Sequence, residues 1–377
     1  MEELAVLLVL VLVVLGLCLA FGRLSPRCRA LACGSAPGGR RAPVCGGAGE
    51  PPPFPYLRGD LPPRALMYRA LKSAEPEVVA APEYPGGVVR RTWPRDMRAA
   101  DALSSHYSEA VRARCAFGRH PSPEAAWADP ALRARAERTA ARLERQGLTR
   151  VAALREGLYE VARWCNFYNP TFCLWLYRDL ARRLKRRPEE VRILDPSAGW
   201  GDRLLAACAF GAAAYHGYDP NDALQPAYRE IIADFAPAAA RTAGDFWVKA
   251  EPFEAAAVEA ADYDIVHTSP PFFDLEKYPG AGGATARALK QYKRWVRRFY
   301  QSYLKNAWGA VKPGGFLVLY VDDNYRTLVQ DTKKILSRIG AQLSETRYGF
   351  QQMLDWPELG LEKDGPIRPA FVWRKDE

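Results

Sequence analysis

The chain of 377 residues lacks the patterns that build metal sites and disulfide scaffolds. Its eight cysteines (18, 28, 33, 45, 115, 165, 173 and 208) contain no Cys-x-x-Cys pair, and its four histidines (106, 120, 216 and 267) are scattered. No zinc spacing arises, and no structural metal is expected. The absence of a Gly-x-x-x-x-Gly-Lys-Ser/Thr run argues against a phosphate-cradling loop. No internal repeat is visible. Acidic residues are in deficit, 43 against 53 Lys plus Arg, for a net charge of +10. That excess favours polyanionic partners, although solubility alone can account for it. The length allows a sizeable core, as two domains or as one catalytic domain with extensions.

Charge is missing altogether from residues 4–22, "LAVLLVLVLVVLGLCLAFG". Nineteen such residues are just long enough to cross a bilayer as a helix. Glu2 and Glu3 precede the run and Arg23, Arg27 and Arg29 follow it. The positive-inside rule then predicts a single-pass membrane anchor over residues 1–22 with a cytosolic catalytic domain. The alternative is a removable signal segment ending near Ala20. The next stretch, to Gly49, has five arginines and no acid, so the two together resemble the bipartite plastid leaders of some algae. Residues 23–63, rich in Gly, Pro and Arg, read as a linker too poor in large apolar side chains to repay ordering. Residues 64–160 carry helical patterns broken by Pro and Gly, with Ser122 placed to cap one helix.

From 161 to 377 the pattern changes. Short apolar runs ("VRILDP", "AYHGYDP", "FWVKAEPF", "YDIVHTSPP", "GGFLVLYVDD") alternate with helical periods. This predicts an α/β fold, a Rossmann-like sheet with helices on both faces. Ligands of such sheets bind outside the carboxyl ends of the strands, so the loops after these runs are where chemistry is sought.

Three loops stand out. "DPSAGWGDRL" (195–204) leaves the first run, and Gly199 and Gly201 let its backbone turn tightly and approach a ligand. "GYDPN" ends the second run and places Asp219 twenty-four residues past Asp195, where a carboxylate accepts the hydroxyl protons of an adenosine ribose; a helix cap is the structural alternative. The fourth run ends in Ser269, Pro270, Pro271 and Phe272. The prolines cannot join a ladder and push their predecessors out of the helical region, which makes a stiff turn.

Together these loops resemble the class I S-adenosylmethionine-dependent methyltransferases that act on amino groups. In that group the fourth strand is followed by Asp, Asn or Ser, then Pro-Pro and an aromatic residue. The resemblance implies S-adenosyl-L-methionine as cofactor, with contacts at Asp195, Ser197, Gly199, Gly201 and Asp219. It assigns the Ser269 side chain and the Pro270 carbonyl to holding the two N–H groups of an exocyclic amine, whose lone pair is otherwise delocalised into the base ring. Phe272 would stack on the flipped base. "NFYNPTF" (166–172) resembles the segment that covers the methionine part of the cofactor, through Phe167, Tyr168, Asn169 and Pro170; Asn169 capping a helix that starts at Pro170 is an equal alternative. Glu251 and Asp245 are candidates for the adenine edge. A closer resemblance, over roughly residues 100–375, is to uncharacterised methyltransferase-like proteins of giant DNA viruses and algae. It includes Tyr107, Glu109, Arg112, Ser122, Pro123 and Trp127.

Ser at the first motif position leans toward DNA cytosine-N4 over adenine-N6 or an RNA base, and the absence of a Pro-Cys pair disfavours methylation at cytosine C5. A helix is expected over 287–310, with Tyr292, Trp295, Phe299 and Tyr303 as core and Lys290, Lys293, Arg294, Arg297 and Arg298 on the other faces. That basic face fits phosphate positioning, so nucleic acid is the expected partner, DNA ahead of RNA. Asp274, Glu276, Tyr278, Arg294 and Arg297 are candidate substrate contacts. A protein N-methyltransferase, and a non-catalytic, membrane-tethered cofactor-binding scaffold, are the alternatives.

Overall fold

The computed structural model describes residues 53–90, 100–238, 240, 244–278, 289, 291–322, 326–356 and 361–376. In chain order the elements are α1 (Arg64–Lys72), β1 (Glu77–Ala81), β2 (Tyr84–Arg90), α2 (Ser105–Arg112), β3 (Ala116–Phe117), α3 (Pro123–Ala128), α4 (Pro130–Arg145), α5 (Arg150–Val161), α6 (Pro170–Leu184), β4 (Arg192–Asp195), α7 (Asp202–Phe210), β5 (Ala214–Tyr218), α8 (Gln225–Phe235), β6 (Phe246–Lys249), β7 (Tyr263–Thr268) and β8 (Glu276–Lys277). They are followed by α9 (Tyr292–Trp295), a π-helical turn (Val296–Tyr300), α10 (Gln301–Ala310), β9 (Val311–Tyr320), α11 (Leu328–Arg338), β10 (Leu343–Trp356) and β11 (Leu361–Arg374).

Nine strands form one sheet in the order β1-β2-β10-β11-β9-β7-β4-β5-β6. The strands from β6 to β9 are mutually parallel, and β11 runs antiparallel to both its neighbours. Alternate residues serve opposite faces. Ile193, Ile265 and Val318 pack with Tyr177, Leu204 and Leu205 on the side of α6 and α7. Leu194, Val266 and Leu317 pack with Tyr303, Leu304 and Leu336 on the side of α10 and α11. Burial on both faces explains why these strands read as unbroken apolar runs. The alternation after residue 160 is thus a Rossmann-like α/β sheet.

The segment 64–160 is not purely helical. Its hairpin β1–β2 extends the sheet by pairing in parallel with β10, Val88 opposite Gly349. The run from Ser122 is two helices rather than one. Ser122 Oγ accepts the Ala125 N–H, and Asp129 accepts from Ala131 and Leu132 to start α4. The end of the expected linker is ordered as well. The Leu57 and Arg58 N–H groups donate to the Glu109 carboxylate, and the Phe54 ring lies 5.9 Å from that of Trp164. One aromatic anchor and two backbone donors meeting a buried acid offset the low apolar content of that segment. Cys115 and Cys165 form a disulfide joining the turn after α2 to the segment before α6.

The expectation of a membrane anchor is corrected. Among the described residues no helix is long and apolar enough to cross a membrane. The longest, α4, has 16 residues, hence about 24 Å against a hydrocarbon core of about 30 Å, and it carries arginines along its length. Residues 4–22, on which the expectation rested, lie outside the described residues.

Candidate active site

The chain switches direction across the sheet at β4, with β5 and β6 on one side and β7 and β9 on the other. At such a switch the loops of the two halves diverge and leave a crevice outside the carboxyl ends of the strands. Its two walls are the loop 196–201 after β4 and the loop 269–275 after β7.

The first wall is held from below. Asp195, 0 % exposed, accepts from Arg203 Nε (2.8 Å), the Tyr215 hydroxyl (2.6 Å) and the Ser197 N–H (3.1 Å). Its carboxylate is enclosed, so its observable work is bracing the loop. Gly199 and Gly201 both have positive φ, 59° and 92°. A Cβ on Gly201 would come within 2.7 Å of Ile231 Cδ1, whereas on Gly199 it would meet nothing nearer than 3.8 Å. Gly201 therefore lets α8 approach, and Gly199 leaves the loop surface bare.

Asp219 stands beside this loop, half-buried. One carboxylate oxygen accepts the Gly199 N–H (2.8 Å) and the other the Asn221 N–H (2.9 Å). Burial pushes its pKa up to about 6, against the lowering effect of those two amides. Asn221 is 2 % exposed, and neither atom of its side-chain amide has a hydrogen-bond partner among the described residues. A buried amide with both ends unmet is costly unless something else occupies the site. Sequence reasoning passed over Asn221 although it ends the "GYDPN" run, because an Asn after a turn reads as turn chemistry.

The second wall begins at Ser269, half-buried. Among the described residues its hydroxyl and the Pro270 carbonyl make no hydrogen bond, which leaves two acceptors side by side at the end of β7. Pro271 continues the turn. The Phe272 ring lies 6.0 Å from that of Tyr320. Phe273 adopts φ 57°, a region that costs a bulky side chain energy, and its ring is fixed against Tyr292 and Trp295. The π-helical turn follows directly after Trp295, so the expected 287–310 helix is locally unwound beside this loop. Trp295, Phe299 and Tyr303 are core, as their spacing predicts. Tyr303 also ties the first wall to the end of β7, its hydroxyl lying 2.8 Å from Ser197 Oγ and 3.1 Å from Thr268 Oγ1.

A third segment closes over the loop after β4. The Tyr168 N–H donates to Asp202 (3.0 Å), and the Trp200 indole donates to the Asn166 carbonyl (2.8 Å). Burial raises the Asp202 pKa to about 7. Asn169 caps α6 by accepting the Phe172 N–H (2.8 Å) and donates to Asp101 (2.7 Å), and Pro170 takes the first helical position. The helix-start alternative for "NFYNP" is therefore realised, with both ends of the Asn169 side chain committed. His267 is buried between the Tyr177 and Tyr168 hydroxyls at 3.2 Å each, and burial keeps its pKa well below the usual range.

The weaker candidates divide. Glu276 accepts from the Asn166 N–H (3.2 Å) and from the Tyr278 hydroxyl, and β8 pairs with β3, so these two residues pin the loop 269–275 to its neighbours. Asp274, Arg294 and Arg297 are exposed. Lys290 lies outside the described residues. Glu251 is exposed beyond the carboxyl end of β6, but Asp245 precedes β6 and sits at the opposite edge of the sheet, away from the crevice. Of the residues on which the expected closer resemblance rested, Glu109 pairs with Arg155, the Tyr107 hydroxyl donates to Asp234 (2.7 Å), and Trp127 is buried. They hold the extension in place.

No protein-family model matches this sequence, and no curated protein matches it. Among solved structures it is similar to an S-adenosylmethionine-dependent O-methyltransferase from Thermotoga maritima, at 14 % identity and TM-score 0.35, covering 56 % of this chain and 68 % of that one. It is also similar to a tRNA (m1A58) methyltransferase from Aquifex aeolicus, at 9 % identity and TM-score 0.35, covering 56 % and 71 %. A precorrin-6y C5,15-methyltransferase from Geobacter metallireducens aligns at 12 % identity and TM-score 0.35, covering 53 % and 88 %. Likenesses this distant leave the function to be read from the chain's own residues.

Proposed function

We propose that the protein is an S-adenosyl-L-methionine-dependent methyltransferase that acts on an exocyclic amino group of a nucleic-acid base, DNA cytosine-N4 ahead of adenine-N6 or an RNA base. The observation that carries this reading is the pairing of the two walls. A bare glycine loop with an adjacent acid and a Ser-Pro-Pro-Phe turn follow the neighbouring strands β4 and β7, and the Tyr303 hydroxyl ties Ser197 of the loop to Thr268, the last strand residue before the turn.

The residues fit the cofactor. Asp219 offers acceptor capacity for ribose hydroxyls, Asn221 has an unmet buried amide, and Gly199 leaves room along the loop. When bound, S-adenosylmethionine supplies a methyl group on a sulfonium, which needs only to be placed in line with a nucleophile. The chain's part is to make the amine that nucleophile. Ser269 Oγ and the Pro270 carbonyl, both unengaged, can accept the two N–H groups and draw the nitrogen lone pair out of conjugation. Pro270 has no N–H to compete for the same site. Phe272 offers a face for the base. Lys293, Arg294, Arg297 and Arg298 are exposed on α9 and the π turn, without an ion pair among the described residues, and are free to meet phosphates.

The test is incubation of the purified chain with methyl-labelled S-adenosylmethionine and separate pools of DNA, RNA and protein. Label entering DNA, lost in Ser269→Ala while cofactor binding persists, is the expected result. Label entering only the protein pool refutes the proposal.

A further inference from the structure

At the outer end of the same crevice lies a cation that the methyl-transfer geometry does not use. Arg368 is on β11, which pairs antiparallel with β9 so that Ala370 is opposite Tyr320. Two residues further out on the same face is Arg368. On the other side of β9, Thr268 is opposite Leu319, which puts Ser269 level with Tyr320. Ala370, Tyr320 and Ser269 thus lie along one row at the carboxyl edge, with Arg368 one step beyond it on the same face. The Tyr320 ring is 6.0 Å from Phe272 and 5.5 Å from Tyr168, an aromatic wall beside the amine-holding turn.

The guanidinium of Arg368 is half-buried, and its one hydrogen bond among the described residues runs from Nη1 to the Tyr320 hydroxyl (3.3 Å). No carboxylate comes within ion-pair distance of it among those residues; Asp322 and Tyr159 act on it only through their fields. Buried arginines are normally paired, and of the five N–H donors of this guanidinium only one meets a partner, a phenol, among the described residues. Its fork suits two adjacent acceptors.

We infer that Arg368, steadied by Tyr320, is the specificity-determining residue that reads the ring acceptors of the target base and selects cytosine over adenine. The inference rests on the base-amine reading above. Next to its amine, cytosine presents ring N3 and then the O2 carbonyl, two acceptors in sequence. Adenine presents ring N1 and then a C–H. A fork satisfied by the first base is left half-unmet by the second, and a well-made bidentate contact separates bases by roughly five- to 150-fold.

The experiment uses the full chain, methyl-labelled S-adenosylmethionine, and two single-stranded oligonucleotides in which cytosine or adenine is the only amino-bearing base. Wild type is expected to favour the cytosine strand by at least about fivefold. Arg368→Met is expected to lower cytosine transfer far more than adenine transfer and so collapse the ratio, with cofactor affinity unchanged. Arg368→Lys, which keeps charge without the fork, should recover only part of it, and Tyr320→Phe should lower the ratio without abolishing transfer. Equal losses on both strands in Arg368→Met would mark a phosphate contact or a structural role and overturn the inference, as would an unchanged ratio. If wild type binds cofactor but labels neither strand, the base-amine reading itself fails and the inference falls with it.

Discussion

Asp195 separates two accounts of the glycine loop, one in which its carboxylate meets the cofactor and one in which it holds the loop in shape. Its enclosure and its three donors favour the second. Asp195→Ala would leave Arg203, 4 % exposed, without its carboxylate partner, although the Ser197 carbonyl still accepts from that guanidinium. Breaking a buried pair from one side costs about 3–5 kcal/mol. At about 2–4 °C per kcal/mol in domains of 150–250 residues, Tm should fall by roughly 6–20 °C. Asp195→Asn, which retains an acceptor for Tyr215 but not the charge, should fall between. The assay is thermal unfolding followed by circular dichroism, paired with S-adenosylmethionine titration well below the variant's transition. If Tm is unchanged while affinity collapses, the carboxylate faces the ligand and the bracing account is wrong.

Other outcomes follow from the same geometry. Asp219 accepts ribose hydroxyls most strongly when ionised, and burial raises its pKa to about 6. Cofactor affinity should therefore rise as pH increases through about 6 and level above it, and Asp219→Asn should bind weakly with no such step. For stability the sign is opposite. The folded pKa lies above the unfolded one, so burial of the ionised carboxylate weakens the fold above pH 6 and not below the unfolded value near 3.8, a trend measurable by unfolding across pH. The two glycines should part company. Gly201→Ala, pressed on Ile231 and at positive φ, should cost about 2–4 kcal/mol of stability, whereas Gly199→Ala, which meets no clash, should cost only the roughly 1 kcal/mol of its positive φ and also weaken cofactor binding. Reversing Arg294 and Arg297 to Glu should reduce the slope of log binding constant against log salt by about 0.7–0.9 for each phosphate no longer neutralised. An unchanged slope in a DNA titration would remove that face from the interface.

Much of the half that carries the candidate site was legible because its signals are local. Strands buried on both faces appear as apolar runs, tight turns need glycine, and a double proline ends a strand wherever it falls. What escaped depends on which segments meet. The hairpin β1–β2 is short and exposed along β1, so only its pairing with β10 reveals it as part of the sheet. The Cys115–Cys165 bridge spans 50 residues and has no spacing rule. Asp245 lies close in sequence to the third strand, but the strand's direction puts it at the wrong edge. Glu276 and Tyr278 look free in the sequence, and the pairing of β8 with β3 turns them into fastenings. Arg368 is 99 positions from Ser269, and only the strand order β11-β9-β7 brings both to the same edge of the sheet.

The central claim is that a methyl group passes from S-adenosylmethionine to an exocyclic amine held at Ser269 and Pro270. Its most direct test is nucleoside mass analysis of DNA digested after incubation with the protein and methyl-deuterated cofactor. A deuterated methyl on the exocyclic nitrogen of cytosine, absent from the Ser269→Ala reaction, is the predicted result. A deuterated methyl on a ring carbon or ring nitrogen, or no labelled nucleoside despite bound cofactor, would contradict it.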